Sequence, residues 1–304
     1  MKKTFSILLF LIFFNIGLWS QSQSPFVLEE GNTKLQFGGF VRTVAFADFE
    51  GSVPHYDFRN AIMNNQWHND SRLSVDASAT RLSFKAIQKA ERLGNIEFYV
   101  ESDFRGGSDA LRLRQAYISF KGLIAGQTWS FMNDLPSNAP TIDVQGVNSR
   151  TFLRTPLIGY RTNLSEKLSF GVALEFPSVK YTTNTELRVV NQRFPDIPIY
   201  LQLKGKAGHI KLAGMFRAMD YGLTTSETVE TKIGIGAQLS GTINVTDNLT
   251  LFSQGIVGRG VSRYINDLAL LSVDLVPNVT GLEMQTLPMY SISLGFKGAL
   301  SKNV

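Results

Sequence analysis

Leu111-Arg-Leu-Arg-Gln-Ala-Tyr-Ile-Ser-Phe-Lys-Gly-Leu-Ile-Ala-Gly-Gln-Thr-Trp-Ser130 contains two β-patterned runs joined with almost no turn, at Lys121-Gly122. Side chains two apart on a strand share a face, so Arg112 and Arg114 lie together, opposite Leu111 and Leu113. If the leucine face meets lipid, both guanidinium groups point to the other side. After Arg114 the alternation weakens. Continued without interruption, it turns Gln115 and Tyr117 outward, where a subunit interface would accommodate them better than lipid.

The same period recurs along the chain. Leu168, Phe170, Val172, Leu174 and Phe176 alternate with Ser169, Gly171, Ala173 and Glu175. Tyr290, Ile292, Leu294 and Phe296 alternate with Ser291, Ser293, Gly295 and Lys297. Ile210 to Arg217 and Ile233 to Ser240 repeat the pattern, and helical periodicity is nearly absent. The runs predict about twelve strands, near residues 34–48, 80–89, 95–104, 111–120, 123–130, 152–163, 167–176, 197–205, 208–218, 230–245, 248–258 and 287–299. Short turns alternate with long polar connections at 50–79, 104–110, 131–151, 177–195, 219–229 and 259–286. That rhythm predicts an all-β, antiparallel, up-and-down transmembrane barrel with tight turns on one side of the membrane and long loops on the other. A soluble β-sandwich has little reason to keep it. Aromatic residues near strand ends, such as Phe104, Tyr117 and Phe252, read either as interface girdles or simply as good strand formers.

Export is legible at the N-terminus. Met1-Lys2-Lys3 is a basic n-region, the next sixteen residues to Trp19 are mostly apolar, and Ser20-Gln21-Ser22 supplies a small-x-small cleavage pattern. Residues 1–22 are therefore expected to be a signal peptide and 23–304 the barrel. The apolar run falls short of the ~20 residues a transmembrane helix needs, and Asn15 interrupts it. The 304 residues include no cysteine, which excludes disulfides, thiol catalysis and cysteine-ligated metals. A net charge of +5, part of it in the leader, is too weak to suggest nucleic acid.

Charge on the lipid side of a barrel costs about 2–4 kcal/mol at the bilayer midplane, so cations on polar strand faces belong inside. Arg81 and Lys85 share one such face, and Arg112 and Arg114 another. The reading gives them a selectivity role; the plainer alternative pairs them with Glu97, Glu101 and Asp103 on a neighbouring strand. The long segment 131–149 is too long for a hairpin turn. Its Asp134 and Asp143, followed by Arg150 and Arg154, are candidates for opposed charges across a constriction. The three histidines (His55, His68 and His209) are scattered, without a serine elbow or metal-ligand spacing, so neither an enzyme nor a cofactor is expected.

Thr80-Arg-Leu-Ser-Phe, Glu101-Ser-Asp-Phe-Arg-Gly-Gly107, Leu111-Arg-Leu-Arg-Gln-Ala-Tyr117, Ala125-Gly-Gln-Thr-Trp-Ser130 and the following Pro136 and Asp143-to-Gly146 segment together resemble the DcaP-like family of trimeric outer-membrane porins. The resemblance implies a barrel of about sixteen strands, homotrimers in the outer membrane of a Gram-negative-type bacterium, and passage of small anionic solutes such as dicarboxylates. It places Arg81, Arg112 and Arg114 on a basic pore wall and makes 131–149 the constriction loop. The end at Ser301-Lys-Asn-Val304 departs from the terminal aromatic of such barrels, and with twelve strands for sixteen the expectation is a C-terminally incomplete copy. Two other classes remain open: a structural or adhesive outer-membrane barrel whose long loops bind a partner, and a barrel hydrolase.

Overall fold

The computed structural model describes residues 26–48, 72–141 and 145–298. The strands are β1 (Phe26–Glu30), β2 (Thr33–Phe40), β3 (Val44–Asp48), β4 (Arg72–Asp76), β5 (Arg81–Ala90), β6 (Gly94–Asp103), β7 (Arg112–Phe120), β8 (Leu123–Trp129), β9 (Arg154–Asn163), β10 (Leu168–Glu175), β11 (Leu187–Val189), β12 (Ile197–Gly205), β13 (Gly208–Leu223), β14 (Val229–Thr246), β15 (Leu249–Arg259), β16 (Val276–Pro277), β17 (Met284–Gln285) and β18 (Pro288–Gly298). One sheet follows the path β1-β2-β5-β6-β7-β8-β9-β10-β12-β13-β14-β15-β18, with β11 added beside β13. Every pairing in it is antiparallel. Sequential neighbours pair with sequential neighbours, which is an up-and-down meander.

The path holds one strand more than the twelve that alternation predicts, and the addition is β1. Phe26-Val-Leu-Glu-Glu lacks alternation, yet it pairs in register with β2 across the turn at Gly31. The run expected at 34–48 ends in the main sheet at Phe40, and β3 leaves to pair with β4. The expected loop at 219–229 is mostly strand, since β13 runs to Leu223 and β14 begins at Val229. The turn at Lys121-Gly122 has φ of 46° and 85°, the type I′ pattern whose twist suits a two-residue hairpin.

The two faces differ in chemistry. Ile199, Leu201, Leu203, Ile210, Leu212, Ile233, Ile235, Leu239, Ile292, Leu294 and Phe296 all point away from the buried side and are 44% exposed or more. Cross-strand pairs such as Leu201↔Leu212 and Leu212↔Leu239 keep them on one continuous outer band. Phe37 stacks on Phe84 at 5.1 Å on the same band. The opposite, inner face carries Arg, Lys, Asp, Glu, Gln, Ser and glycine. In water such an apolar band would be unsatisfied; against acyl chains it needs no partner. No helix among the described residues is long and apolar enough to cross a membrane.

Candidate functional site

A β-bulge decides where the first arginines go. Glu101 pairs with Gln115 and Ser102 with Leu113, so Arg114 is the extra residue on β7. The bulge resets the alternation: Arg112, Arg114, Gln115 and Tyr117 all reach the inner side, while Leu113 and Ile118 stay outside. The expectation that Gln115 and Tyr117 turn outward is thereby corrected. Gln115 accepts a hydrogen bond from Thr128 at 2.8 Å, and the Tyr117 hydroxyl donates to Glu97 at 3.1 Å.

On this face the cations of β5 and β7 flank the acids of β6. Lys85 Nζ lies 2.8 Å from Glu97, Arg81 4.0 Å from Glu101, Arg112 2.6 Å from Asp103, and Arg114 spans Glu101 and Asp103 at 2.6 and 2.7 Å. The result is a ladder of four cations on three carboxylates. Of the two readings, the pairing one describes the geometry: these side chains hold each other, with Arg114 and Asp103 buried at its centre.

The segment between β8 and β9 leaves the wall through a hydrogen-bonded neck. Ser130 N–H donates to the Leu153 carbonyl, and the Asn133 amide both donates to and accepts from Leu153. From this neck the segment crosses the inner face to strands several spacings of about 4.8 Å away, so the sheet curls around it. Gln254 of β15 fastens both of its limbs, donating to the Asp134 carbonyl and the Ser137 hydroxyl and accepting from Thr151 N–H. Lys211 of β13 donates to the Asn133 carbonyl at 2.6 Å. The far part rests on β18, where Ser291 donates to the Ser149 carbonyl and Gly295 has no Cβ to meet Ala139.

Asp134 is buried where the segment meets β13 and β14. Its carboxylate lies 2.8 Å from His209 Nε2 and accepts a hydrogen bond from Ser240 at 2.7 Å, while His209 Nδ1 meets Thr242 at 3.0 Å. Opposite an ionised carboxylate, Nε2 must donate. Burial pushes the Asp134 carboxyl up, but the hydrogen bonds from His209 and Ser240 and the charge of Lys211 outweigh it and hold the group below the usual carboxylate range. This geometry turns Asp134 toward the wall and makes it an anchor of its own segment.

The remaining expected residues part company. Arg150 is buried inside the segment, donating to the Gln145 carbonyl and stacking 3.7 Å from the Phe152 ring centroid. Arg154 pairs in register with Trp129, on the face of Pro156 and Ile158, and its guanidinium covers the Trp129 ring at 4.9 Å. Its backbone position has outer-face parity, yet its guanidinium is near enough to Arg114 and Arg112 for their charges to act on it. Asp143, His55 and His68 lie outside the described residues. No group of His, Cys, Asp and Glu able to hold a metal occurs among the described residues.

Beneath the neck is a cavity of about 340 Å³ whose lining includes Tyr117, Arg161, Tyr200, Lys204, Lys211 and Asp134. Lys211 Nζ lies 4.2 Å from the Tyr200 ring centroid. Arg161 and Lys204 escaped the sequence reading because each is a single charge near a turn. Their register was the missing signal: Arg161 pairs with Gly171, and Gly171 with Tyr200, so the three form one inner row.

At the other end of the strands the long connections pack onto each other. Arg217 of β13 contacts Asp274 at 2.9 Å and Asp196 at 3.0 Å, and Arg263 pairs with Asp196 at 3.0 Å. The Tyr264 hydroxyl lies 2.8 Å from Asp196 and 3.1 Å from Glu175, with one proton to share between them; burial and these two carboxylates raise it well above an ordinary tyrosine. Leu187, Met219, Tyr221, Leu275 and Met284 form the apolar core of this cap.

A long antiparallel meander with an apolar outer band, an ion-lined inner face and a segment folded across that face defines the class: a transmembrane β-barrel of the outer-membrane kind. The family model described as DcaP outer membrane protein matches residues 19–267, and the chain belongs to that family. Among solved structures, the outer membrane channel DcaP of Acinetobacter baumannii matches with a TM-score of 0.76 and 17% identity, over 90% of this chain and 76% of that one. An anion-selective porin from Comamonas acidovorans matches with a TM-score of 0.49 and 15% identity, over 75% of this chain and 68% of that one. No curated protein matches the sequence.

Proposed function

We propose that this protein is an outer-membrane porin through which small hydrophilic anions of dicarboxylate size diffuse passively. On this reading residues 1–22 direct export and are removed, the barrel works as a homotrimer, and the 131–149 segment is the pore constriction. The observation that carries it is the charge balance of the inner face. Arg81, Lys85, Arg112, Arg114, Arg161, Lys204 and Lys211 face Glu97, Glu101, Asp103 and Asp134 there. A cation excess in a channel with low-dielectric walls concentrates anions and repels cations. Passage needs neither cofactor nor covalent chemistry.

Conductance across planar bilayers holding the purified protein, in a KCl gradient, tests this. The expected result is stepwise, pore-sized conductance with a reversal potential of anion-preferring sign. Cation preference would overturn the charge argument. Negligible conductance would overturn the pore and favour a structural or adhesive barrel.

A further inference from the structure

We infer that Arg161 and Lys204, with Tyr117 and Tyr200 beside them, form a binding subsite for a small carboxylate dianion on the side of the constriction segment nearest the short turns. The inference rests on the porin reading and deepens it. The inner face has two kinds of cation. Those of the ladder are each matched to a carboxylate at 4.0 Å or less. Arg161 and Lys204 are exposed to the cavity, and among the described residues neither makes an ion pair.

The nearby acid is already engaged. Asp134 lines the same cavity, but His209 and Ser240 occupy its carboxylate. Lys211, although it binds the Asn133 carbonyl, adds positive charge from behind Tyr200. A dianion entering here therefore meets two uncommitted cations, and among the described residues lining the cavity no free carboxylate competes for them. Register fixes the wall: Tyr200 lies over Gly171, where any Cβ would fall 2.3 Å from the ring, and this places the ring next to Arg161. An arginine fork takes a carboxylate through two parallel N–H donors, and lysine takes the second charge as a point contact. The tyrosine rings supply an apolar flank for a short carbon chain. Release stays easy because both cations remain solvated, which suits a site that solutes must leave as readily as they enter.

The test uses the full-length protein in planar bilayers and reads current block by succinate, with inorganic phosphate and chloride as comparison anions. Heat-modifiable gel mobility verifies that each variant is folded. The Arg161→Gln/Lys204→Gln double variant is expected to weaken succinate block about tenfold, the loss of two exposed charge contacts. It should also move the reversal potential toward zero. The swapped pair Arg161→Lys/Lys204→Arg should keep most of the block. Stronger block by phosphate than by succinate would overturn the carboxylate assignment. Unchanged block and reversal potential in a folded, conducting double variant would overturn the subsite while leaving the porin reading intact. A wild-type protein that conducts nothing would remove both.

Discussion

His209 Nε2 lies 2.8 Å from the carboxylate of Asp134, a residue 75 positions earlier in the chain. This contact joins the segment after β8 to the start of β13 and fixes how deeply the segment enters the barrel. Its partners are neighbours on the same wall: Ser240 on the carboxylate, Lys211 on the adjoining carbonyl and Gln254 on the backbone of Asp134.

The Asp134 anchor has a defined pH dependence. Its carboxyl is held below the ordinary value, so the anchor's contribution is complete above about pH 4 and lost only as the pH falls through the lower folded value. Single-channel recordings should stay quiet down to about pH 4 and grow noisy below it. Asp134→Asn should bring that noise to neutral pH. Adding Gln254→Ala should raise unit conductance, because the segment then loses both fastenings.

The ladder predicts a stability effect without an export defect. Arg114→Gln leaves the buried Asp103 with Arg112 alone and Glu101 with only the 4.0 Å contact to Arg81, at a cost of about 1.5–3 kcal/mol. Urea unfolding in lipid vesicles measures it. Pairing the substitution with Glu101→Gln should recover part of the loss, since the two sites share one network.

The outer band predicts an asymmetry between neighbouring residues. Leu212 is exposed on the apolar side of β13, whereas Lys211 is buried on the inner side. Leu212→Arg should destabilise the vesicle-inserted protein by about 2–4 kcal/mol if it sits near the bilayer midplane. The same protein read as a soluble sandwich would lose much less, because an exposed leucine would already face water.

In the cap, Arg217 neutralises Asp196 and Asp274, all three fully buried. Arg217→Met should cost about 3–5 kcal/mol by leaving two buried carboxylates short of a partner. Limited proteolysis should then cut within 176–196 and 260–287 before it cuts the strands.

Strand alternation was legible because a lipid-facing barrel writes its two environments into successive residues. Leu168 to Phe176 and Tyr290 to Phe296 needed no tertiary information. The site was less so. The Arg114 bulge depends on how β6 and β7 pair, and a one-residue offset moved Gln115 and Tyr117 to the opposite face. Arg154 reads in the sequence as a basic partner, with Arg150, for Asp134 and Asp143 across a constriction, whereas register sets its guanidinium over Trp129. Gln254, Ser240 and His209 carry no local signal at all, because their role comes from a segment that meets them more than seventy residues away in the chain.

Ion selectivity of the reconstituted pore tests the central claim most directly. In a KCl gradient across a planar bilayer, the wild-type protein should give discrete conductance steps and a reversal potential displaced toward that of chloride. Discrete steps with a potassium-directed reversal potential, or no steps from folded, inserted protein, would contradict a cation-lined pore.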